Sequence, residues 1–248
     1  MKNNTTSVFS GLQWWKWLCI VLLFYTFYQG LMIEVPRMAI LHETIRNLFF
    51  HVTMWFSMII MMFASLVYGI RYLSSNDIKF DIKASESAYT GVFLGILGLA
   101  TGSLWAKYTW GAWWVNDAKL NGAAAAMLVY FAYIILRGSI DDEHKRAKLA
   151  SVYGIFAFTM MLVFIMILPR LTDSLHPGNG GNPGFSNYDL DSKMRTVFYP
   201  AVIGWALLAT WITEINVRIK VLKNQSEEKK KKKITFSSIQ YSFRFFRY

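Results

Sequence analysis

Residues 105–120 read W-A-K-Y-T-W-G-A-W-W-V-N-D-A-K-L, with four tryptophans (Trp105, Trp110, Trp113, Trp114) and Tyr108 crowded beside one carboxylate, Asp117. Continued as a helix, Trp110, Trp113, Trp114 and Asp117 fall at i, i+3, i+4 and i+7, on one face. Such a face is a broad aromatic shelf with an acid at its end. It suits a large, flat, partly apolar ligand that also has a polar edge. The same stretch, taken alone, also fits an aromatic belt where a membrane helix meets the headgroups. The residues on either side decide between the two.

Those flanks are apolar. Of the 248 residues 54% are hydrophobic and 17% charged, with a mean hydropathy of +0.31. A soluble chain of this length carries about a quarter charged residues. The deficit is concentrated in segments of roughly twenty residues, the length that crosses a bilayer. The net charge of +11 lies mainly between and after these segments, which argues against a nucleic-acid partner. One cysteine, Cys19, excludes an internal disulfide, and no CxxC or CxxCH motif is present.

Upstream of the aromatic stretch, spans are expected at Trp15–Ile33, His51–Tyr72 and Ala88–Trp105. Downstream, they are expected at Gly122–Leu136, Leu149–Leu168 and Thr196–Ile215. The first is read as uncleaved, because Tyr25, Phe27, Tyr28 and Gln29 stand where a signal peptide would carry small residues. A mixed loop with a short surface helix is expected at Glu34–Phe50. Polar or charged loops are expected at Ser74–Ser87 and Arg137–Lys148, and a long irregular loop at Pro169–Arg195. Met54, Met58, Met61 and Met62 in the second span read as adaptable packing. Gly91, Gly95, Gly98 and Gly102 in the third form a small-residue stripe for close helix contact.

The expected fold is therefore an all-α integral membrane protein of six transmembrane helices. Residues 1–14 form the N-terminus, 15–216 the membrane domain with the aromatic segment at 105–121, and 217–248 a basic tail containing Lys229–Lys233. Lysine and arginine number 19 on the side shared by the termini and 7 on the other, or 9 against 7 without the tail. Basic residues favour the cytoplasm, so both termini are expected there and the aromatic segment outside. The tail's basic and aromatic residues suit anionic lipid.

This topology puts His51, the aromatic segment and His176 on one face of the membrane. Imidazoles are common ligands for transition metals, and two can hold a haem iron from opposite sides. His42 shares that face, whereas His144 falls on the other. His176 precedes Pro177 and a glycine-rich run, a setting that lets a ligand move.

Trp110, Gly111, Trp113, Trp114 and Asp117 form W-G-x-W-W-x-x-D, which resembles the tryptophan-rich "WWD" signature of the haem-handling proteins of cytochrome c maturation. With six spans and one outward histidine on each side of the motif, the chain resembles the CcmC, or haem exporter protein C, family over residues 10–220. The resemblance implies a bacterial inner-membrane protein that presents haem b, held non-covalently and transiently, at the outer face. His51 and His176 would be the axial iron ligands, and Trp110, Gly111, Trp113 and Trp114 would contact the porphyrin. Lys107 or Lys119 would face the propionates, and Asp117 would orient a neighbouring Trp N–H or a partner's base.

The implied partners are a periplasmic haem chaperone (CcmE-like), a small membrane partner (CcmD-like) and an ABC-type ATPase complex (CcmA/CcmB-like). The chain departs from the family pattern at Asn116, where a tryptophan is usual, and at Lys119 and Asn121, where arginine and threonine are usual. No nucleophile–base pair or P-loop is present, so no enzymatic activity is expected and ATP hydrolysis would come from a partner. The alternative is the membrane subunit of an ABC-type transporter that moves haem or another solute across the bilayer. That would call for polar groups at mid-depth, of which the spans carry almost none.

Overall fold

The computed structural model describes residues 13–36, 41–172, 174–176 and 190–245, with side chains described to residue 230 apart from residue 228. The N-terminal residues 1–12, the glycine-rich run after His176 and the side chains of the tail beyond residue 230 lie outside this description. All the regular structure described is helical: α1 Trp14–Met32, a 3-10 helix His42–Phe49, α2 His51–Ser75, α3 Ile78–Trp110 and α4 Ala118–Gly138. Then follow α5 Glu143–Leu162, a π turn Val163–Ile167, α6 Leu168–Leu171 and α7 Ser192–Phe245.

Among the described residues, five helical stretches are long and apolar enough to cross a membrane: His42–Ser75, Ile78–Trp110, Ala118–Gly138, Glu143–Leu171 and Ser192–Glu227. The chain is a multi-pass membrane protein. The 19-residue α1 is shorter, and Trp14, Lys16 and Gln29 dilute its apolar content. It lies along α7, where Lys16 pairs with Glu214 at 3.0 Å and the Cys19 thiol meets the Gly204 carbonyl. Its other side exposes Val21, Phe24 and Tyr28, a surface for lipid.

Local chemistry sets the helix ends, and it corrects several expected boundaries. The expected loop at Ser74–Ser87 shrinks to Asn76 and Asp77. Asn76 takes the left-handed conformation that closes α2 (φ 55°), and Asp77 caps α3 by accepting from the Lys79 amide at 3.0 Å. The charged residues that follow form the first turns of α3. Asp142 caps α5 in the same way, accepting from the Lys145 amide, so the helix begins inside the expected charged loop at Arg137–Lys148. The expected surface helix in Glu34–Phe50 is a 3-10 helix instead. It buries Ile45, Leu48 and Phe49 against α7 residues such as Val197 and Phe198.

Two prolines leave carbonyls without their helical partner, and both consequences are visible. Pro200 has no N–H to offer Thr196, and the Thr196 carbonyl instead accepts from the Tyr25 hydroxyl of α1 at 3.2 Å. Pro169 cannot donate to Ile165, and α5 widens there into the π turn, with the Leu168 amide bonded to Val163. The widened turn comes so near α4 that a Cβ on Gly122 would sit 2.3 Å from the Phe164 carbonyl oxygen.

The core lies between α2, α3, α4 and α5. The glycine stripe of α3 receives side chains of α2 in sequence. A Cβ on Gly91 would meet Met62, one on Gly95 would meet Met58 and Met127, one on Gly98 would meet Trp55, and one on Gly102 would meet His51. The expected small-residue contact is present, and Met54, Met58, Met61 and Met62 are buried as packing.

Candidate functional site

The last notch of that stripe positions the first imidazole. His51 begins α2, and because Gly102 has no side chain its ring can lie over α3; a Cβ there would stand 2.7 Å from Cε1. Nδ1 of His51 lies 3.0 Å from the Thr101 hydroxyl. That hydroxyl has one proton, and two carbonyls of its own helix stand ready to accept it, Leu97 at 2.8 Å and Gly98 at 3.2 Å. Its oxygen therefore accepts, Nδ1 carries the ring proton, and Nε2 keeps its lone pair. Trp105 meets the ring edge-on at 5.8 Å, and the Trp105 indole is itself held by the Thr44 hydroxyl at 2.9 Å.

The aromatic segment does not continue as a helix. Gly111 adopts φ 81° and closes α3, and α4 begins only after Asp117, so residues 111–117 run irregularly between two caps. The expected single face of Trp110, Trp113, Trp114 and Asp117 is thereby broken. A glycine that ends a helix and an aspartate that starts the next are local signals stronger than the aromatic periodicity.

Asp117 is nearly fully buried and joins three elements. Oδ1 accepts the Lys119 and Leu120 amides at the start of α4. Oδ2 accepts the Ser174 hydroxyl at 2.9 Å and the Leu175 amide at 2.7 Å. Nδ1 of His176 stands 2.9 Å from Oδ1, a close contact although the N–H does not point straight at the oxygen. Burial pushes the Asp117 carboxyl up, but the contact with His176 and the bonds from Leu175 and Ser174 outweigh it, and the group is held well below the usual carboxylate range. The acid ending the aromatic stretch thus orients an imidazole and anchors the segment that carries it.

His51 and His176 line the same two cavities. The larger, about 170 Å³, is lined by Val52, Trp55, Ile59, Gly98, Trp114 and Ile165, and also by Lys119 and Met166. The smaller lies towards Leu41, Trp105, Thr109 and Trp110. Trp110 packs edge-on against the His176 ring at 4.9 Å. Trp114 borders the larger cavity, and its indole N–H donates to Asn121, which in turn donates to Asn116 at 2.7 Å. Two of the positions that depart from the family pattern are therefore bonded to one another.

The other expected residues fall elsewhere. Trp113 is 58% exposed and lines neither cavity. Lys107 donates to the Gly111 carbonyl at 2.9 Å. His42 is exposed at the start of the 3-10 helix, and His144 meets the Tyr72 hydroxyl at the opposite end of the bundle. Thr101, Trp55, Ser174 and the π-turn residues Ile165 and Met166 were not singled out from the sequence. Only Thr101 left a trace there, as a polar residue beside the last glycine of the stripe.

A family model described as Heme exporter protein C matches residues 3–232. The chain is 26% identical to Heme exporter protein C of Haemophilus influenzae over 142 residues, which cover 55% of each chain. It is 26% identical to the protein of the same name in Escherichia coli K12 over 144 residues, covering 57% of this chain and 56% of that one. Cytochrome c biogenesis protein CcsA of Prochlorococcus marinus (strain MIT 9303) is 35% identical over 103 residues, 40% of this chain and 32% of its own. The chain spans about half the length of the Heme exporter protein C relatives it matches. With the family model covering nearly all of it, the chain belongs to the Heme exporter protein C family.

Proposed function

We propose that the protein binds haem b, non-covalently and transiently, at the outer face of a bacterial inner membrane. From there it presents the haem to a periplasmic chaperone during maturation of c-type cytochromes. His51 and His176 are the axial ligands. The observation that carries this reading is that both imidazoles border one aromatic cavity, with Nδ1 engaged by Thr101 in one case and placed beside Asp117 in the other. Nε2 is left to bind iron. Among the described residues no group of three or more His, Cys, Asp or Glu side chains is placed to hold a bare metal ion. Two imidazoles suit an iron whose other four donors come from a porphyrin.

A cavity of about 170 Å³ is smaller than the ~300–1,000 Å³ typical of small-molecule sites. Haem would need more room than this, and Trp110 and Trp114 would flank it. Lys119, which lines the cavity, pairs with a propionate. Asp117 serves His176 and stays away from the propionates.

The assembly has six spans, α1 included, with both termini cytoplasmic, as the lysine and arginine asymmetry favours. Its partners are a CcmE-like chaperone, a CcmD-like membrane protein and a CcmA/CcmB-like ATPase, so the chain itself handles haem and catalyses no reaction. Absorption spectra of protein purified after haem supply test the site. Wild type is expected to show low-spin haem that is lost in both His51→Ala and His176→Ala. Unchanged low-spin absorption in both variants would remove the assignment.

A further inference from the structure

We propose that Asp117 and Thr101 make the two imidazoles unequal ligands, so that the protein favours oxidised iron chiefly through His176. This rests on the bis-histidine reading above. Each ring has a different neighbour behind its Nδ1: for His176 the charged Asp117 carboxylate, in close contact at 2.9 Å though off the N–H axis, and for His51 only neutral groups, the Thr101 hydroxyl at 3.0 Å and the Gly98 carbonyl. A carboxylate polarises the ring N–H and makes the far nitrogen a stronger donor. A hydroxyl whose own proton goes to a carbonyl of its helix does so weakly. Ferric iron carries one more positive charge than ferrous iron and gains more from the stronger donor. One-electron reduction therefore weakens the His176–iron bond more than the His51–iron bond, and each imidazole keeps its lone pair if its bond opens.

The mechanical asymmetry runs the same way. His51 is fixed at the start of a long helix, in a notch cut by Gly102. His176 lies on a non-helical segment tied to α4 by the Ser174 and Leu175 bonds to Asp117. One carboxylate thus sets both the donor strength of His176 and the anchorage of its segment. Asp117 is a positioning residue that acts on iron only through that ring.

The test uses the full-length protein in detergent, loaded with haem and titrated with dithionite as the one-electron reductant. Asp117→Asn is expected to lower the ratio of ferric to ferrous affinity about tenfold, equivalent to a midpoint potential ~59 mV more positive for a one-electron couple. Thr101→Val is expected to shift it less than about threefold. Ser174→Ala loosens the segment but leaves the carboxylate charge, and should shift the potential far less than Asp117→Asn does. An unshifted potential in Asp117→Asn with low-spin haem retained overturns the proposal, as does a Thr101→Val shift of equal size. If Asp117→Asn does not accumulate as folded protein, ferric wild type decides by electron paramagnetic resonance. A carboxylate-backed imidazole lowers the largest g-value below that of free bis-imidazole haem, and equality overturns the idea. Failure of the haem site itself would appear differently, as low-spin absorption indifferent to His51→Ala and His176→Ala.

Discussion

At the end of the bundle away from His51, Arg137 donates two hydrogen bonds to Asp81, at 2.6 and 2.8 Å, with both side chains buried. At the histidine end the buried polar groups are arranged otherwise: each imidazole has one nitrogen set against a neighbour, and both residues line one cavity. A bidentate pair between α3 and α4 fixes how those helices meet. Two half-engaged rings fix little, and they leave bonding capacity for something from outside. The difference sets a structural polar cluster apart from the proposed binding one within a single fold.

Removing one partner of the structural pair should give the largest effect. Arg137→Ala leaves the Asp81 charge buried without compensation, a loss of about 3–5 kcal/mol. A thermal melt of the detergent-solubilised protein is expected to show it as a sharply lowered midpoint. The shape of the haem spectrum in the surviving folded fraction should not change. A variant that melted like wild type but lost haem would reverse the roles assigned to the two ends.

The glycine stripe offers a second contrast inside one helix. A methyl group added at Gly91 meets the far end of Met62, which can bend aside. The same methyl at Gly102 meets the imidazole of His51. Gly91→Ala is expected to change stability by less than about 1 kcal/mol, in line with the helix preference for alanine. Gly102→Ala should weaken haem binding about tenfold, or ~1.4 kcal/mol, with the melt little changed. Equal haem affinity in the two variants would show that the notch does not set the ring.

That stripe was readable from the sequence because helical periodicity needs only spacing, and the apolar spans were readable from composition. The connections were less so. Ser74–Ser87 is polar throughout, and only the left-handed Asn76 and capping Asp77 reveal that the chain turns within two residues and is helical again by Ile78. In the aromatic stretch the tryptophan spacing suggested one continuous face. Gly111 and Asp117 break it because backbone conformation and amide satisfaction outweigh side-chain pattern over so short a distance. The pairing of Asp117 with His176 could not be read at all, since it depends on how the segment after α6 folds back onto the start of α4.

A smaller effect is expected where the 3-10 helix meets α3 at the histidine end. The Trp105 indole donates to Thr44 and ties the 3-10 helix to α3 beside His51. Thr44→Val removes one partly buried hydrogen bond and should cost about 1 kcal/mol, seen as a modest drop in melting midpoint. Low-spin absorption is expected to persist, because Thr101 and Gly102 still hold the ring.

The smallest expected effect concerns pH. Asp117 has its folded pKa depressed below the ~3.9 of an unfolded aspartate. Its contribution is therefore fully present above that unfolded value and is lost only as pH falls through the lower folded one. Between pH 8 and 5 the bonds from Ser174 and Leu175 should hold without change. Hydrogen exchange of the Leu175 amide, corrected for intrinsic rate, is expected to show constant protection over that range in wild type. In Asp117→Asn the protection should be lower at every pH. A wild-type protection that changed across that range would mean that the Asp117 carboxylate is not what holds the segment.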